Sequence, residues 1–157
     1  MKKFLLALCL TLLLPQSVIA THLLPEKARM GEVTLLDLRD LKVQRVLLLV
    51  MALYQNRISP NWRPSYPETL RVYLLTGTAS KIFSDDCNCW GVVEIEHPDV
   101  IIMVTDKMNP WPNFTLAHEL VHILQIAEGR NSYYPHELLE HEASLIANDV
   151  TIIAEAK

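Results

Sequence analysis

Apolar residues recur at helical spacing in three segments of the chain, which predicts three helices. The first segment covers residues 37–57 and the last covers residues 135–156. Between them, a second helix is expected to start at Asn113, whose side chain is a suitable N-cap. The predicted apolar faces comprise Leu38, Leu41, Leu48, Leu49 and Ala52 in the first helix, and Leu116, Leu120, Ile123, Leu124 and Ala127 in the second.

Short apolar runs between the first two helices predict a small sheet. Residues 31–36 favour a short strand or the entry to the first helix, and residues 59–69 contain three prolines and predict a loop. The pattern as a whole predicts an α+β domain with an N-terminal helix, a small and mostly antiparallel sheet, and two further helices. The predicted strands are residues 70–76, 91–96 and 100–105, the last two joined in a hairpin by His97, Pro98 and Asp99.

One turn of the second predicted helix carries His118, Glu119 and His122 at the spacing of a catalytic metal site. Positions i and i+4 of a helix lie one above the other, so both imidazoles project from one face and can hold one Zn²⁺. Glu119 lies about 100° around the helix from His118, which favours activation of water over metal ligation. This helix is expected to be buried, where unpaired imidazoles are costly. The motif predicts a zinc hydrolase, and a surface helix that happens to carry these residues is the alternative.

A catalytic zinc ion usually has three protein ligands, so a third ligand is needed downstream of the two histidines. On the last predicted helix, Glu140 shares a stripe with small residues that would let two helices approach closely. Glu140 is therefore the predicted third ligand. Glu142 lies on another side of the helix, near Asp149, and is expected to be a solvated carboxylate. The downstream candidates are His136, Glu137, Glu140, His141 and Glu142, and the stripe comprises Glu140, Ala143, Ser144, Ala147, Thr151 and Ala154.

Residues 115–124, with the sequence Thr-Leu-Ala-His-Glu-Leu-Val-His-Ile-Leu, resemble the extended signature of zincin metallopeptidases. The later run Glu-His-Glu-Ala-Ser at 140–144 resembles the Glu-x-x-Ala segment of gluzincins, whose first Glu is the third zinc ligand. The resemblance covers roughly residues 112–150 and implies a minimal zincin-like domain with a bound Zn²⁺ and peptidase activity. In these families an acidic residue often follows that Glu by four positions, where this chain has Ser144.

The expected mechanism follows from these parts. The zinc ion makes a bound water molecule more acidic. Glu119 takes the proton from this water and later passes it to the leaving amine. His136 is the first candidate for the oxyanion donor and Tyr134 the second. By the resemblance, an extended peptide substrate would pair with the strand at residues 100–105. A non-catalytic zinc-binding protein and a zinc amidase acting on cell-wall peptides are the alternatives.

Residues 1–20 have the features of a cleavable export signal. Lys2 and Lys3 precede an apolar run that Pro15 interrupts well short of the roughly 20 residues that a bilayer span needs. Small residues then occupy the two positions that a signal peptidase reads, ending at Ala20. The expected mature protein covers residues 21–157 as one domain without a membrane anchor, in the periplasm or the medium of a bacterium.

The charge balance bears on the class of partner, and the cysteine content bears on disulfide formation. Without Lys2 and Lys3, the mature chain has 12 basic and 18 acidic residues, and it has no basic stripe, so a nucleic-acid partner is not expected. Cys87 and Cys89 are then the only cysteines left, and in an oxidising compartment a disulfide between them is favoured over a second metal site. The pattern is silent on oligomeric state.

Overall fold

The computed structural model describes residues 32–77, 90–94, 96–105 and 112–156. The predicted signal at residues 1–20 and the predicted disulfide between Cys87 and Cys89 lie outside the described residues. The elements follow in the order strand, helix, three strands, helix, helix, which confirms the predicted α+β class. They are β1 (Glu32–Asp37), α1 (Leu41–Arg57), β2 (Arg71–Thr76), β3 (Gly91–Glu94), β4 (His97–Val104), α2 (Asn113–Ala127) and α3 (His136–Glu155), with a 3₁₀ turn at Arg130–Ser132 between the last two helices.

The four strands form one sheet in the order β1-β2-β4-β3. Two of the three pairs are antiparallel, and β2 pairs with β4 in parallel. Alternate residues of β2 and β4 face opposite sides, so Leu74 and Met103 join the core under the helices while Tyr73 and Ile102 are buried on the other face.

Two predictions about the sheet are wrong. Residues 100–105 were expected to offer an edge for substrate, but β4 is an inner strand that is hydrogen-bonded to β2 and to β3. His97, Pro98 and Asp99 were expected to form the hairpin turn, but they belong to β4, and the described turn residue is Glu96, before the strand. Pro98 stands at the beginning of its strand, where its missing N–H is tolerated.

The buried face of α1 also differs from the prediction. Leu41 and Leu48 are 80% and 64% exposed, and the core side of the helix is formed by β-branched residues and one tyrosine. This helix is rich in leucine all round, so two different stripes have helical spacing, and only the packing against α2 and α3 selects one. The buried residues of α1 are Val43, Val46, Val50 and Tyr54.

The helix pair α2 and α3 makes the most extensive contact between two elements of the described structure. Ala143 and Ala147 of α3 are fully buried in the core, which agrees with the small-residue stripe expected on this helix. The predicted N-cap of α2 is wrong, since Asn113 is its first helical residue and Pro112 precedes it as the cap without a side-chain hydrogen bond. Among the described residues, no helix combines the length and the apolar character needed to cross a bilayer.

Candidate metal centre

The helix α2 brings the ring nitrogens of His118 and His122 together. Their Nε2 atoms lie 3.0 Å apart, and the rings meet edge to face with centroids 4.7 Å apart. Both side chains are mostly buried, with 16% and 17% of their surface exposed. The helical spacing therefore produces a pair of nitrogens that point at one position, as predicted from i and i+4.

Glu140 of α3 completes the cluster. Its Oε2 atom lies 3.2 Å from His118 Nε2, and its Oε1 atom lies 3.2 Å from His122 Nε2. The donor atoms of these three residues all lie within 4.8 Å of one another. Two ligands of a tetrahedral zinc ion at bond lengths of 2.0–2.1 Å stand roughly 3.3 Å apart, so the observed separations fit such an ion. Two imidazole nitrogens and a carboxylate also suit zinc chemically.

The electrostatic environment keeps His118 in the form that binds metal. Burial, and then the neighbouring His122, lower the pKa of His118, while Glu140 opposes the shift. A lowered pKa means that the imidazole is neutral at neutral pH, and a neutral imidazole is the ligand form. Phe114 stacks beside the ring of His118, with centroids 5.9 Å apart and an angle of 28° between the planes.

Glu119 lies beside the cluster without belonging to it. Its side chain is buried, at 6% exposure, and it faces β3, where Gly91 approaches it closely. Burial and, to a lesser extent, the carboxylate of Glu140 raise the pKa of Glu119 to about 8. A carboxyl group that titrates near neutrality can both accept and return a proton, which is the requirement for general acid and base catalysis.

The cluster opens onto a cavity of about 870 Å³ between β3 and the helices. His118, Glu119, His122 and Glu140 all line this cavity. Apart from His136 of α3, its other walls are apolar or small, and they come from β3, the end of β4 and the start of α2. These lining residues are Trp90, Gly91, Val92, Val93, Val104, Pro112, Phe114 and Thr115.

The two predicted oxyanion donors differ in position. His136, the first residue of α3, lines the cavity and is 79% exposed, with its Nδ1 atom 3.7 Å from Glu140 Oε1. Tyr134 is not among the residues that line the cavity, and its ring lies over the guanidinium group of Arg130, 4.1 Å from the ring centroid. The geometry therefore favours His136 over Tyr134 for this role.

A group of polar residues behind the histidines was not predicted from the sequence. Gln125 is fully buried, and its Oε1 atom lies 2.8 Å from His122 Nδ1. Glu142, predicted to be solvated, is 9% exposed and pairs with Arg130 at 2.5 Å, so that prediction is wrong. The segment between the helices folds back and places Arg130 over Glu142. The sequence feature that could have indicated these residues is Gln125 itself, a polar residue one turn after His122 inside an apolar run.

Comparisons of the chain with protein families, with curated proteins and with solved structures found no match. The chemistry of the site is therefore inferred from its own residues.

Proposed function

We propose that the protein is a zinc-dependent metallopeptidase of the gluzincin type. The observation that carries the proposal is the convergence of His118 Nε2, His122 Nε2 and the Glu140 carboxylate at one end of a cavity that Glu119 also lines. A helix that carried the two histidines by chance would have no reason to receive a carboxylate from the next helix at matching distances.

His118, His122 and Glu140 would hold the ion. When bound, zinc supplies Lewis-acid chemistry, since it makes water more acidic and polarises a carbonyl group. The side chain of Glu140 is 41% exposed and stands on the cavity side, so the cluster remains open to substrate. An open position is what separates a catalytic zinc site from a structural one.

Glu119 moves the proton in this proposal. Its carboxylate takes a proton from the attacking water and delivers it to the nitrogen of the leaving amine. A cation beside it would favour the ionised form that the first of these steps requires. His136, at the rim of the cavity, is the proposed donor to the developing oxyanion, because its exposed ring can turn towards the cavity.

The substrate in this proposal is an extended peptide that lies along β3. This strand lines the cavity and pairs with β4 on one side, and no described strand pairs with its other side. Main-chain hydrogen bonds to an open edge bind a peptide with little dependence on its sequence. The edge strand β3 thus takes the place that the sequence assigned to residues 100–105.

The proposed compartment is the periplasm or the medium, reached through the signal at residues 1–20. In that compartment, cell-wall peptides are a second substrate class for the same chemistry. An amidase of this kind would cleave wall fragments and leave casein-like proteins intact.

The experiment is a metal and activity assay on the exported protein. Bound zinc is measured directly, and a panel of peptides, proteins and cell-wall fragments is incubated with and without a chelator. Glu119→Gln should keep its zinc and lose hydrolysis by roughly two orders of magnitude, because an amide cannot accept the proton. Glu137→Gln, an exposed glutamate at the start of α3, is the matched control and should behave as wild type.

If the zinc-loaded wild type cleaves nothing on the panel and has no affinity for a peptide hydroxamate, the enzyme proposal gives way to a zinc-binding protein. If the protein retains no zinc after dialysis against a trace of the ion, the metal site itself is wrong.

A further inference from the structure

Gln125 sits at the centre of a buried polar network behind the metal cluster. Its Oε1 atom lies 2.8 Å from His122 Nδ1. Its Nε2 atom lies 3.0 Å from the main-chain oxygen of Leu139 and 3.2 Å from Glu142 Oε2. The other oxygen of Glu142 is 2.5 Å from Arg130 Nη2. Gln125 is fully buried, so its amide must satisfy its hydrogen bonds from these neighbours.

The neighbours leave only one orientation for the Gln125 amide. The oxygen of Leu139 accepts hydrogen bonds and cannot donate them, and the Glu142 carboxylate, paired with a guanidinium, does the same. The NH₂ group of Gln125 must therefore face these two oxygens. With the amide reversed, its oxygen would face two acceptors without a proton between them, at a cost of about 1–3 kcal/mol for each unmet group.

The amide orientation in turn determines the state of His122. Because Gln125 presents its oxygen to His122, the Nδ1 atom of that ring must carry the proton. A neutral imidazole with a proton on Nδ1 has its lone pair on Nε2. That Nε2 atom is the one which faces His118 and Glu140.

We propose that Gln125 is a positioning residue which holds His122 in the Nδ1–H tautomer, and that Glu142 and Arg130 act through it to set the affinity of the metal centre. The inference rests on the proposed zinc site. Ser144 stands where the zincin families often have an acidic residue, and Gln125 would supply the support to a histidine that this serine cannot give as a carboxylate. The 3₁₀ turn that carries Arg130 thereby belongs to the metal site, although it contributes no ligand.

His118 lacks an equivalent arrangement. Its Nδ1 atom is buried and has no hydrogen-bond partner among the described residues, so these residues do not fix its tautomer from behind. Its Nε2 atom lies between His122 Nε2 and Glu140 Oε2, and in the metal-free protein a proton on that atom satisfies the hydrogen bond across the cluster. A metal ion takes the place of this one proton. His118 is therefore an internal reference against which the effect of Gln125 can be measured.

The test begins with the tautomers in the metal-free protein. Nitrogen chemical shifts of the histidine rings are recorded by NMR at a pH above their titration range. In wild type, His122 should be in the Nδ1–H form, and in Gln125→Leu it should become a mixture while the shifts of His118 change less. A wild-type His122 with its proton on Nε2 would overturn the proposal, and this result does not depend on any variant's folding.

Zinc affinity is then measured by competition with a chelator. Loss of a side chain that orients a ligating histidine typically lowers affinity about 10- to 100-fold, and this is the expectation for Gln125→Leu. Gln44→Leu, on the exposed side of α1, is the matched control and should leave the affinity unchanged. A folded Gln125→Leu that retains wild-type zinc affinity would also refute the positioning role. If the wild type binds no zinc, the proposed function is wrong. The tautomer of His122 in the metal-free protein would even then show whether Gln125 positions this ring.

Discussion

Gly91 at the start of β3 lies against Glu119 of α2 so closely that a Cβ atom on Gly91 would stand 2.9 Å from Glu119 Oε1. The same Cβ would stand 2.7 Å from Thr115 Cγ2, on the preceding turn of the helix. Real Cβ atoms essentially never approach that closely, so either the strand or the carboxylate must move. The glycine thus allows the sheet edge to reach the proposed base.

We expect Gly91→Ala to lower both stability and hydrolysis. Overpacking of this kind costs about 1–3 kcal/mol, and displacement of Glu119 would reduce the rate without loss of bound zinc. Thermal unfolding, zinc content and peptide cleavage are the measurements. Adding Thr115→Ser removes the Cγ2 methyl group and should recover part of the stability, while the crowding of Glu119 remains. Unchanged stability and rate in Gly91→Ala would show that the strand and the helix are not in close contact.

The third ligand is tested by comparing two glutamates of α3. Glu140→Ala should lose most of its bound zinc with little effect on folding, because its side chain is partly exposed. Glu142→Ala should destabilise the fold by about 3 kcal/mol, because it leaves Arg130 without its buried partner, and it should weaken zinc binding less than Glu140→Ala does. His141→Ala, an exposed neighbour, is the control. Full retention of zinc in Glu140→Ala would refute the assignment of Glu140 as the third ligand.

The stability of the metal-free protein should fall as pH rises, owing to Glu119. Its pKa is raised from 4.5 to about 8 by folding, so the folded state holds a proton that the unfolded state releases in this window. Stability is therefore greatest below the lower value and declines towards the upper one. Glu119→Gln cannot ionise, and it should raise the melting temperature more at the alkaline end of the window than at the acid end. An equal effect at both ends would mean that Glu119 is not buried as described.

The pairing of Cys87 with Cys89 stays a prediction for the exported protein. An oxidising compartment favours a disulfide between the last two cysteines, and so small a ring is strained and easily reduced. Mass spectrometry without reductant should give a mass lower by two hydrogens, which mild reduction restores. Two free thiols in freshly exported protein would contradict it.

The clustering of His118, His122 and Glu140 could be predicted from the sequence because it depends on local geometry. Helical spacing alone places His118 and His122 on one face, and the buried alanines beside Glu140 let α3 approach α2 closely enough to deliver the carboxylate. Both inferences depend on the regular geometry of single helices and on side-chain size. They require no knowledge of the sheet.

The predictions that were wrong concern features that depend on the neighbours of each element. Which stripe of α1 is buried, and whether β4 lies inside the sheet, follow from how elements pack, and the pattern of one segment does not encode that. Glu142 was predicted to be solvated from its angular position around α3. That position does not include the segment between the helices, which brings Arg130 over Glu142. Gln125 stands out as a polar residue in an apolar run, but its contacts with Leu139 and Glu142 depend on how α3 packs against α2.

The three candidate ligands lie on consecutive helices, since α2 ends at Ala127 and α3 begins at His136. Glu119 is different, because its environment is completed by Gly91 of β3, which lies outside this pair of helices. The helix pair by itself brings the three candidate ligands together, whereas the surroundings of Glu119 also require the edge of the sheet. An ion at the proposed site would therefore depend on the two helices alone, whereas proton transfer would depend on the sheet as well, so the two properties could be lost separately.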